Sequence, residues 1–208
     1  MTLIVHHLNN SRSQRILWLL EELGAPYEIR HHQRDAVTNL APPELLDIHP
    51  LGKSPVIEDN GKTVFESAAI VEFICERHGG AHLVPARGSD DHIHYLEFLH
   101  FAEGSAMTPI LLNLYTARLG EAAAQLQPRI KQQLQSHFQY MEDSLHPSGW
   151  FVGEGLTGAD IMMSFPAEAA VKMGMAADKP KLNAFVEAIH ARPAYQAALA
   201  KGGPYAYA

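Results

Sequence analysis

The 208-residue sequence contains one cysteine, Cys75. A single cysteine excludes a disulfide framework within the chain. Cys75 lies in the apolar stretch AAIVEFICERHG, which predicts a small buried side chain on a helix. Chains without internal disulfides are typical of a reducing compartment, so we expect a cytoplasmic protein.

Long hydrophobic runs and basic clusters are also missing. No stretch of about 18 apolar residues occurs, which argues against a membrane-spanning helix. The start, MTLIVHHLNN, has neither the basic region nor the long apolar region of a signal peptide. The net charge is −7, with no basic run and no interleaved aromatic and basic residues, which argues against a nucleic-acid partner. Apolar residues make up 47% of the chain and charged residues 19%, a composition typical of a globular protein with one large or two small domains.

The first 79 residues predict a small mixed α/β unit. An apolar run at residues 3–5 precedes a polar loop, and the following apolar residues have the spacing of one helix face. Asn60-Gly61 lies between two short strand-like runs and is a strong hairpin signal. The predicted order is strand, helix, strand, short helix, hairpin and helix, with the second strand at 27–32, the short helix at 43–48 and the last helix beginning at Ser67.

The remainder predicts helices alone. Residues 80–89 contain glycine and proline and are expected to form a linker. Beyond them, helical patterns begin near Tyr95, at about 121–146, near Thr157, and at about 181–191 and 194–201. The sequence therefore predicts an α/β domain at 1–79, a linker at 80–89 and an all-helical domain at 90–208.

The polar loop before the first helix, Asn9 to Ser13, is a candidate binding site. Unpaired N–H groups and the positive end of the helix dipole favour an anion there. The same residues also fit a capping box, with Ser11 as N-cap and Gln14 reaching back to it. The pattern alone favours the cap.

Two further segments carry the same kind of ambiguity. Pro55 is predicted at the start of a strand, where an ordinary trans proline is tolerated. If the Ser54–Pro55 bond is cis instead, the Ser54 backbone is left open to a ligand that pairs like a strand. In ESAAI, Ser67 could hold a carboxylate and Glu66 an ammonium group. A plain Ser67 N-cap is an equal alternative.

Thr157 and Asp160 fit a structural helix start rather than a functional site. The 13 histidines include His78 and His82, the only pair with plausible metal-ligand spacing. No cysteine or acid cluster completes a site with them, so we expect no metal.

Four motifs, taken in order, resemble those of the cytosolic glutathione transferases: NNSRSQRILWLLEEL, HPLGKSPVIED, ESAAIVEFI and GLTGADIMMSF. The resemblance covers essentially the whole chain. It implies a thioredoxin-like N-terminal domain, a helical-bundle C-terminal domain, glutathione as co-substrate, transferase activity and a homodimer.

The resemblance also implies residue roles. Pro55 matches a cis-proline, and Ser54 would pair with the cysteinyl backbone of glutathione. Glu66 and Ser67 match the clamp for its γ-glutamyl group, and Asp160 matches a buried helix-cap acid. The glutathione-binding residues predicted in this way are Arg12, Lys53, Ser54, Pro55, Glu66 and Ser67.

The thiol-activating residue is less clearly defined. Counting back from Arg15, the tyrosine of tyrosine-type members falls on Asn9, and the serine or cysteine of other types falls near Ser11. The loop has neither tyrosine nor cysteine, which argues against members that use mixed-disulfide chemistry. The resemblance implies a serine-type or asparagine-assisted member, with Ser11 first and Asn9 and Asn10 as alternatives.

The electrophile pocket is expected from the first long helix of the second half and from the C-terminal tail. A deformable methionine and tyrosines with polar tips suit varied apolar substrates, although about half of the helix residues would serve as core instead. The candidates are Met107, Leu111, Tyr115 and Tyr205, with Ile110, Leu114 and Tyr207 beside them.

Two other functions are compatible with the same scaffold. A glutathione-dependent isomerase of the maleylacetoacetate type, or a peroxidase, is one, but NNSRSQR departs from the cysteine-containing loop of the isomerases. A non-enzymatic binding module is the other, although the clamp residues from Lys53 to Ser67 are all present.

Overall fold

A computed structural model describes residues 2–208. Its sheet has four strands, which are β1 Leu3–Leu8, β2 Tyr27–His32, β3 Val56–Asp59 and β4 Lys62–Phe65. Their order in the sheet is β2-β1-β3-β4. Strands β1 and β2 are parallel, with Leu3 opposite Tyr27, whereas β3 is antiparallel to both β1 and β4. This mixed sheet confirms the predicted α/β class of the N-terminal half.

Helix α1, Ser13–Leu23, connects the two parallel strands and is buried over most of its length. Its apolar residues from Ile16 to Leu20 are all fully buried, as the helical spacing predicts. The β3–β4 hairpin turns at Asn60 and Gly61, which have φ angles of 50° and 79°. Two consecutive positive φ angles define a type I′ turn, which explains why Asn-Gly stands there.

The other helices follow the predicted order. They are α2 Leu45–Ile48, α3 Ser67–Arg77, α4 Asp90–Phe101, α5 Met107–Thr116, α6 Gln127–Ser144, α7 Gly158–Lys172, α8 Pro180–His190 and α9 Pro193–Gly202. A π-helical segment, Ala102–Ala106, connects α4 to α5.

One helix starts later than its pattern predicts. The helix expected from about residue 121 begins at Gln127, and Ala117–Ala123 forms a 3₁₀ segment instead. Gly120 has a φ of 54°, which is outside the helical region. Pro128 lies in the first turn of α6, where its missing N–H costs nothing.

The predicted start of α7 is confirmed. Thr157 and Asp160 form a reciprocal capping box, and the Asp160 carboxylate also accepts a hydrogen bond from the Phe151 N–H at 2.8 Å. Asp160 is fully buried, and burial raises the pKa of its carboxyl to about 6. Its role is therefore to satisfy backbone donors.

The chain divides into two compact units. One comprises the chain up to Val84 together with Ile189–Ala208, and the other comprises Pro85–Ala188. In the first unit, α9 packs against α1 through a ring contact of 5.6 Å between Trp18 and Tyr195 and an ion pair between Arg192 and Glu22. The predicted domain at 90–208 differs from this grouping, because its last helix packs with the N-terminal residues. Within residues 2–208, no helix is both long and apolar enough to cross a membrane.

Candidate active site

Around the loop from β1 to α1, two serine hydroxyls and one imidazole form a continuous chain of hydrogen bonds. The Ser11 and Ser13 oxygens are 2.7 Å apart, and the Ser13 Oγ is 2.9 Å from the Nδ1 of His7. The Leu8 N–H donates to the Ser13 Oγ. All three side chains are buried. Ser11 is therefore held on the inner side of the loop, next to the start of α1.

The capping box predicted for Ser11 and Gln14 is wrong. Helix α1 begins at Ser13 with Arg12 as its N-cap, and no side chain caps it. Ser11 instead accepts a hydrogen bond from the Ser13 N–H on its side-chain oxygen. Within residues 2–208, the buried Gln14 amide makes no hydrogen bond. Ser11 lies one residue too early in the chain to cap the helix.

His7 is a member of this chain that the sequence analysis did not single out. Burial, followed by the charge of nearby His31, lowers its pKa to about 4, and a hydrogen bond with the Gly202 backbone acts in the opposite direction. His7 is therefore neutral at neutral pH. Neighbouring residues on a strand face opposite sides, but His6 and His7 are both buried on β1, so alternation along the strand does not single out His7.

The two asparagines of the loop hold it in place. The Asn9 Oδ1 accepts from the Arg34 N–H at 2.8 Å, and the Asn10 Oδ1 accepts from the Ala206 N–H at 2.8 Å. Asn10 has a φ of 50°, a left-handed conformation that asparagine tolerates better than most residues. Both side-chain oxygens thus have structural partners.

The Ser54–Pro55 peptide bond is cis, as the resemblance implies and contrary to the simpler trans alternative. The Ser54 hydroxyl donates to the His6 carbonyl at 2.8 Å, which attaches this segment to β1. Pro55 is buried and Lys53 is exposed. The segment enters β3 beside the strand that carries the loop.

Glu66 and Ser67 lie at the junction between β4 and α3. Glu66 is exposed and has a φ of 67°, a sparsely populated conformation for a residue with a side chain. Glu66 occupies the N-cap position, so the N-cap alternative for Ser67 is wrong. Ser67 is 5% exposed, and its hydroxyl makes no hydrogen bond with any of residues 2–208.

The electrophile-pocket candidates belong to both units and are described within each. On α5, Met107 and Ile110 are buried, Leu111 is half-buried, and Tyr115 is 61% exposed. In the first unit, the half-buried Tyr205 ring lies 5.4 Å from that of Tyr207. Burial of Met107 and Ile110 fits the core alternative, and the pocket stays a prediction.

Cys75 has the environment predicted for it. The thiol is buried on α3, and burial raises its pKa to about 12. Among residues 2–208, no group of three or more histidine, cysteine or acidic side chains is arranged to hold a metal ion.

Comparison with known proteins identifies the family. The glutathione S-transferase N-terminal domain matches residues 1–76, and the corresponding C-terminal domain matches residues 106–202. Glutathione S-transferase 1 of Saccharomyces cerevisiae is 31% identical over 95% of this chain and 94% of its own length. The chain belongs to the glutathione S-transferase family.

Solved structures agree with this assignment. A glutathione S-transferase from Actinobacillus pleuropneumoniae is 34% identical, with a TM-score of 0.90 over 99% of this chain and 94% of that one. A sphingomonad glutathione S-transferase complexed with glutathione is 25% identical, with a TM-score of 0.80 over 96% of this chain and 98% of that one. The predicted two-part fold, transferase activity and glutathione co-substrate are thereby confirmed.

Proposed function

We propose that this glutathione S-transferase uses the Ser11 hydroxyl to stabilise the thiolate of glutathione. A sulfur lone pair of the thiolate then forms a bond to an electrophilic carbon of an apolar molecule, or to a peroxide oxygen, and the leaving group departs with its electrons. The observation that carries the proposal is the position of Ser11, whose hydroxyl lies beside the N-terminus of α1 in a loop without tyrosine or cysteine. Asn9 and Asn10 remain the alternative activators.

The available interactions are large enough for this task. A free thiol has a pKa of about 8.5, and lowering it by about two units requires about 2.7 kcal/mol of preferential thiolate stabilisation. A hydrogen bond to a charged group supplies about 1.5–3 kcal/mol, and a helix N-terminus adds about 0.3–1 kcal/mol. One hydroxyl at the start of α1 is therefore sufficient.

The glutathione-binding residues support the same proposal. The unused Ser67 hydroxyl suits the carboxylate of the γ-glutamyl group, and the exposed Glu66 carboxylate suits its ammonium group. Ser54 at the cis bond is proposed to pair with the cysteinyl backbone. Exposed Lys53 is proposed to reach the glycine carboxylate, with Arg12 as a further contact beside the loop.

We also propose residues for the electrophile site, an oligomeric state and a cellular location. On α5, we propose Leu111 and Tyr115 as residues that contact the electrophile, with buried Met107 on the same helix. Tyr205 is proposed separately from the first unit. We propose a cytoplasmic homodimer. Light scattering tests the assembly, since a dimer has twice the chain mass of 23.0 kDa, and cell fractionation tests the location.

The decisive experiment compares Ser11→Ala, Asn9→Ala and Asn10→Ala. The pKa of the bound thiol is read from the pH dependence of kcat/KM for the electrophile at saturating glutathione, and glutathione affinity from calorimetric titration. Ser11→Ala should raise the thiol pKa by about one to two units, the equivalent of one charged hydrogen bond, with little loss of affinity. Ser136→Ala, on exposed α6 surface, is the control. An unchanged thiol pKa in Ser11→Ala, with a raised pKa in an asparagine variant, would move the role to that asparagine.

A further inference from the structure

Arg34 connects the loop that carries Ser11 to a second loop of the first unit. Its backbone N–H donates to the Asn9 Oδ1 at 2.8 Å, and its side-chain Nε donates to the Asn9 carbonyl at 3.1 Å. The Nη2 of the same guanidinium donates to the Asn10 carbonyl at 3.4 Å, and the Nη1 donates to the Asn39 carbonyl at 3.1 Å. Arg34 therefore binds both residues that immediately precede Ser11.

The second loop is a turn closed by its own hydrogen bonds. The Asp35 carboxylate accepts from two N–H groups and one hydroxyl within the next three residues, at 2.7 to 3.0 Å. The Asn39 N–H donates to the Asp35 carbonyl, and the Asp35 N–H donates to the Leu40 carbonyl. The Asn39 carbonyl that Arg34 binds is therefore part of a hydrogen-bonded turn, which gives the guanidinium a fixed support.

The shape of the guanidinium suits this arrangement. Its N–H donors lie in one plane as a rigid fork. The edge with Nε and Nη2 takes the carbonyls of two consecutive peptide groups, and Nη1 reaches the turn. A lysine ammonium has the same charge on a flexible stem but lacks the planar fork. The arrangement therefore depends on the shape of Arg34 as well as on its charge.

These bonds hold the backbone in an unfavourable conformation directly before Ser11. Asn10 has a φ of 50°, and a residue with a side chain persists in this region only where its surroundings enforce it. Its carbonyl is held by Arg34, and its side-chain oxygen by the Ala206 N–H. Loss of the guanidinium would allow Asn10 to relax and would displace Ser11 with it.

The same bonds orient the Ser11 N–H. In a planar trans peptide group, the carbonyl and the following N–H point in opposite directions. Because the Asn10 carbonyl points towards Arg34, the Ser11 N–H points away from the guanidinium. Within residues 2–208 this N–H has no acceptor. It is therefore free to donate to a thiolate that the Ser11 hydroxyl also binds.

We propose that Arg34 is a positioning residue for thiol activation. By holding the Asn9 and Asn10 carbonyls, it places the hydroxyl and the N–H of Ser11 against the thiolate of glutathione. Arg34 acts through this backbone and requires no contact with glutathione itself. This role of Arg34 rests on the proposed function of Ser11.

The test measures the pKa of the bound glutathione thiol in wild type and in Arg34→Met, from the ultraviolet absorbance of the thiolate. The complex with S-methylglutathione, which has no ionisable thiol, is the reference. Arg34→Met should raise the thiol pKa by about half a unit to one unit, so that the thiolate fraction well below this pKa falls about three- to tenfold. Misfolded protein would reduce the amplitude of the titration without moving its midpoint, so a purely structural role predicts an unchanged pKa.

Arg34→Lys separates shape from charge. It should show most of the rise seen in Arg34→Met, because an ammonium group cannot replace the planar fork. A wild-type thiol pKa in Arg34→Lys would overturn the positioning role in favour of charge alone. Arg30→Met, at an exposed arginine of β2, is the matched control and should leave the thiol pKa unchanged. An equal rise in Arg30→Met would also overturn the inference.

A measurement on wild-type protein keeps the inference falsifiable if the Arg34 variants fail to fold. By nuclear magnetic resonance, the Arg34 Nε–H should exchange slowly with solvent and the Arg30 Nε–H rapidly; rapid exchange at Arg34 would overturn the inference. Ser11→Ala, titrated in the same way, separates the two proposals. An unchanged thiol pKa in Ser11→Ala would contradict the proposed function. A raised pKa there, with an unchanged pKa in Arg34→Met, would overturn the role of Arg34 alone.

Discussion

The Asn10 side-chain oxygen accepts a hydrogen bond from the Ala206 N–H at 2.8 Å, which ties the loop before α1 to the C-terminal segment. Asn9 makes the equivalent bond to the Arg34 N–H. Adjacent asparagines therefore hold the loop from two sides through separate partners. The polar loop serves two purposes, since its asparagines secure the backbone while its serines form the hydroxyl chain.

The first prediction concerns these two attachments. In Asn10→Ala, the Ala206 amide should lose its protection from hydrogen exchange, whereas the Arg34 amide should keep it. Asn9→Ala should give the opposite pattern, so each variant is the control for the other. Exchange measured by nuclear magnetic resonance checks this. Unchanged Ala206 exchange in Asn10→Ala would show that the segment is held by other contacts.

Ser67→Ala should weaken glutathione binding with little change in stability. The hydroxyl has no partner among residues 2–208, so its removal leaves no internal donor or acceptor unpaired, whereas a charged hydrogen bond to the ligand carboxylate would be lost. At about 1.5–3 kcal/mol, the dissociation constant should rise at least about tenfold. Calorimetric titration measures it.

Ser164→Ala is the matched control for this variant. Ser164 is also a buried helical serine, but its hydroxyl donates to the Ile161 carbonyl. Its removal should affect the free energy of unfolding rather than the glutathione dissociation constant. Equal dissociation constants for Ser67→Ala and wild type would remove Ser67 from the site.

Cys75 should be inert in the folded protein. Its thiol is buried, with a pKa raised to about 12, and the thiolate is the reactive form. At about pH 8, where free thiols react readily, a chromogenic disulfide reagent should label free glutathione but not the native chain. After unfolding, the one thiol of the described chain should react. Stoichiometric labelling of native protein would contradict the burial of this side chain.

The sequence predicts most of this fold because its signals are local. Asn60-Gly61 has the turn conformation that its residue types favour, and Thr157 with Asp160 caps α7 as the spacing indicates. The misplaced start of α6 depends on the backbone conformation of a single residue. The start of α6 shifts because Gly120 leaves the helical region, which a hydrophobic period does not register.

The candidate site is less predictable because it depends on distant contacts. The imidazole of His7 forms a hydrogen bond with a serine six positions later in the sequence, and it lies near Gly202 at the end of α9. No motif in the sequence links these residues. The capping box at Ser11 is wrong for the same reason, since the Ser11 hydroxyl bonds to Ser13, whose own hydroxyl bonds to His7 on β1.

Asp160 provides a test of a buried charge away from the active site. Its carboxylate accepts from the Phe151 N–H, the Thr157 N–H and the Thr157 hydroxyl. Asp160→Ala leaves these buried donors without an acceptor, at about 1–3 kcal/mol each, so the free energy of unfolding should fall by at least about 2 kcal/mol. Urea unfolding measures it. Exposed Asp143, changed to alanine, should alter it by less than about 0.5 kcal/mol.

The pH dependence of this effect has a definite sign. Burial raises the Asp160 pKa from 3.8 to about 6 in the folded protein, so between these values the native state binds a proton that the unfolded chain does not. Stability from this group therefore increases as pH falls through about 6 towards 4, and is lost as pH rises. Compared with Asp160→Asn, which does not titrate, the wild type should gain about 2 kcal/mol between neutral pH and about pH 4.5. A difference that shrinks on acidification would mean that the three donors outweigh burial and hold the folded pKa below that of the unfolded chain.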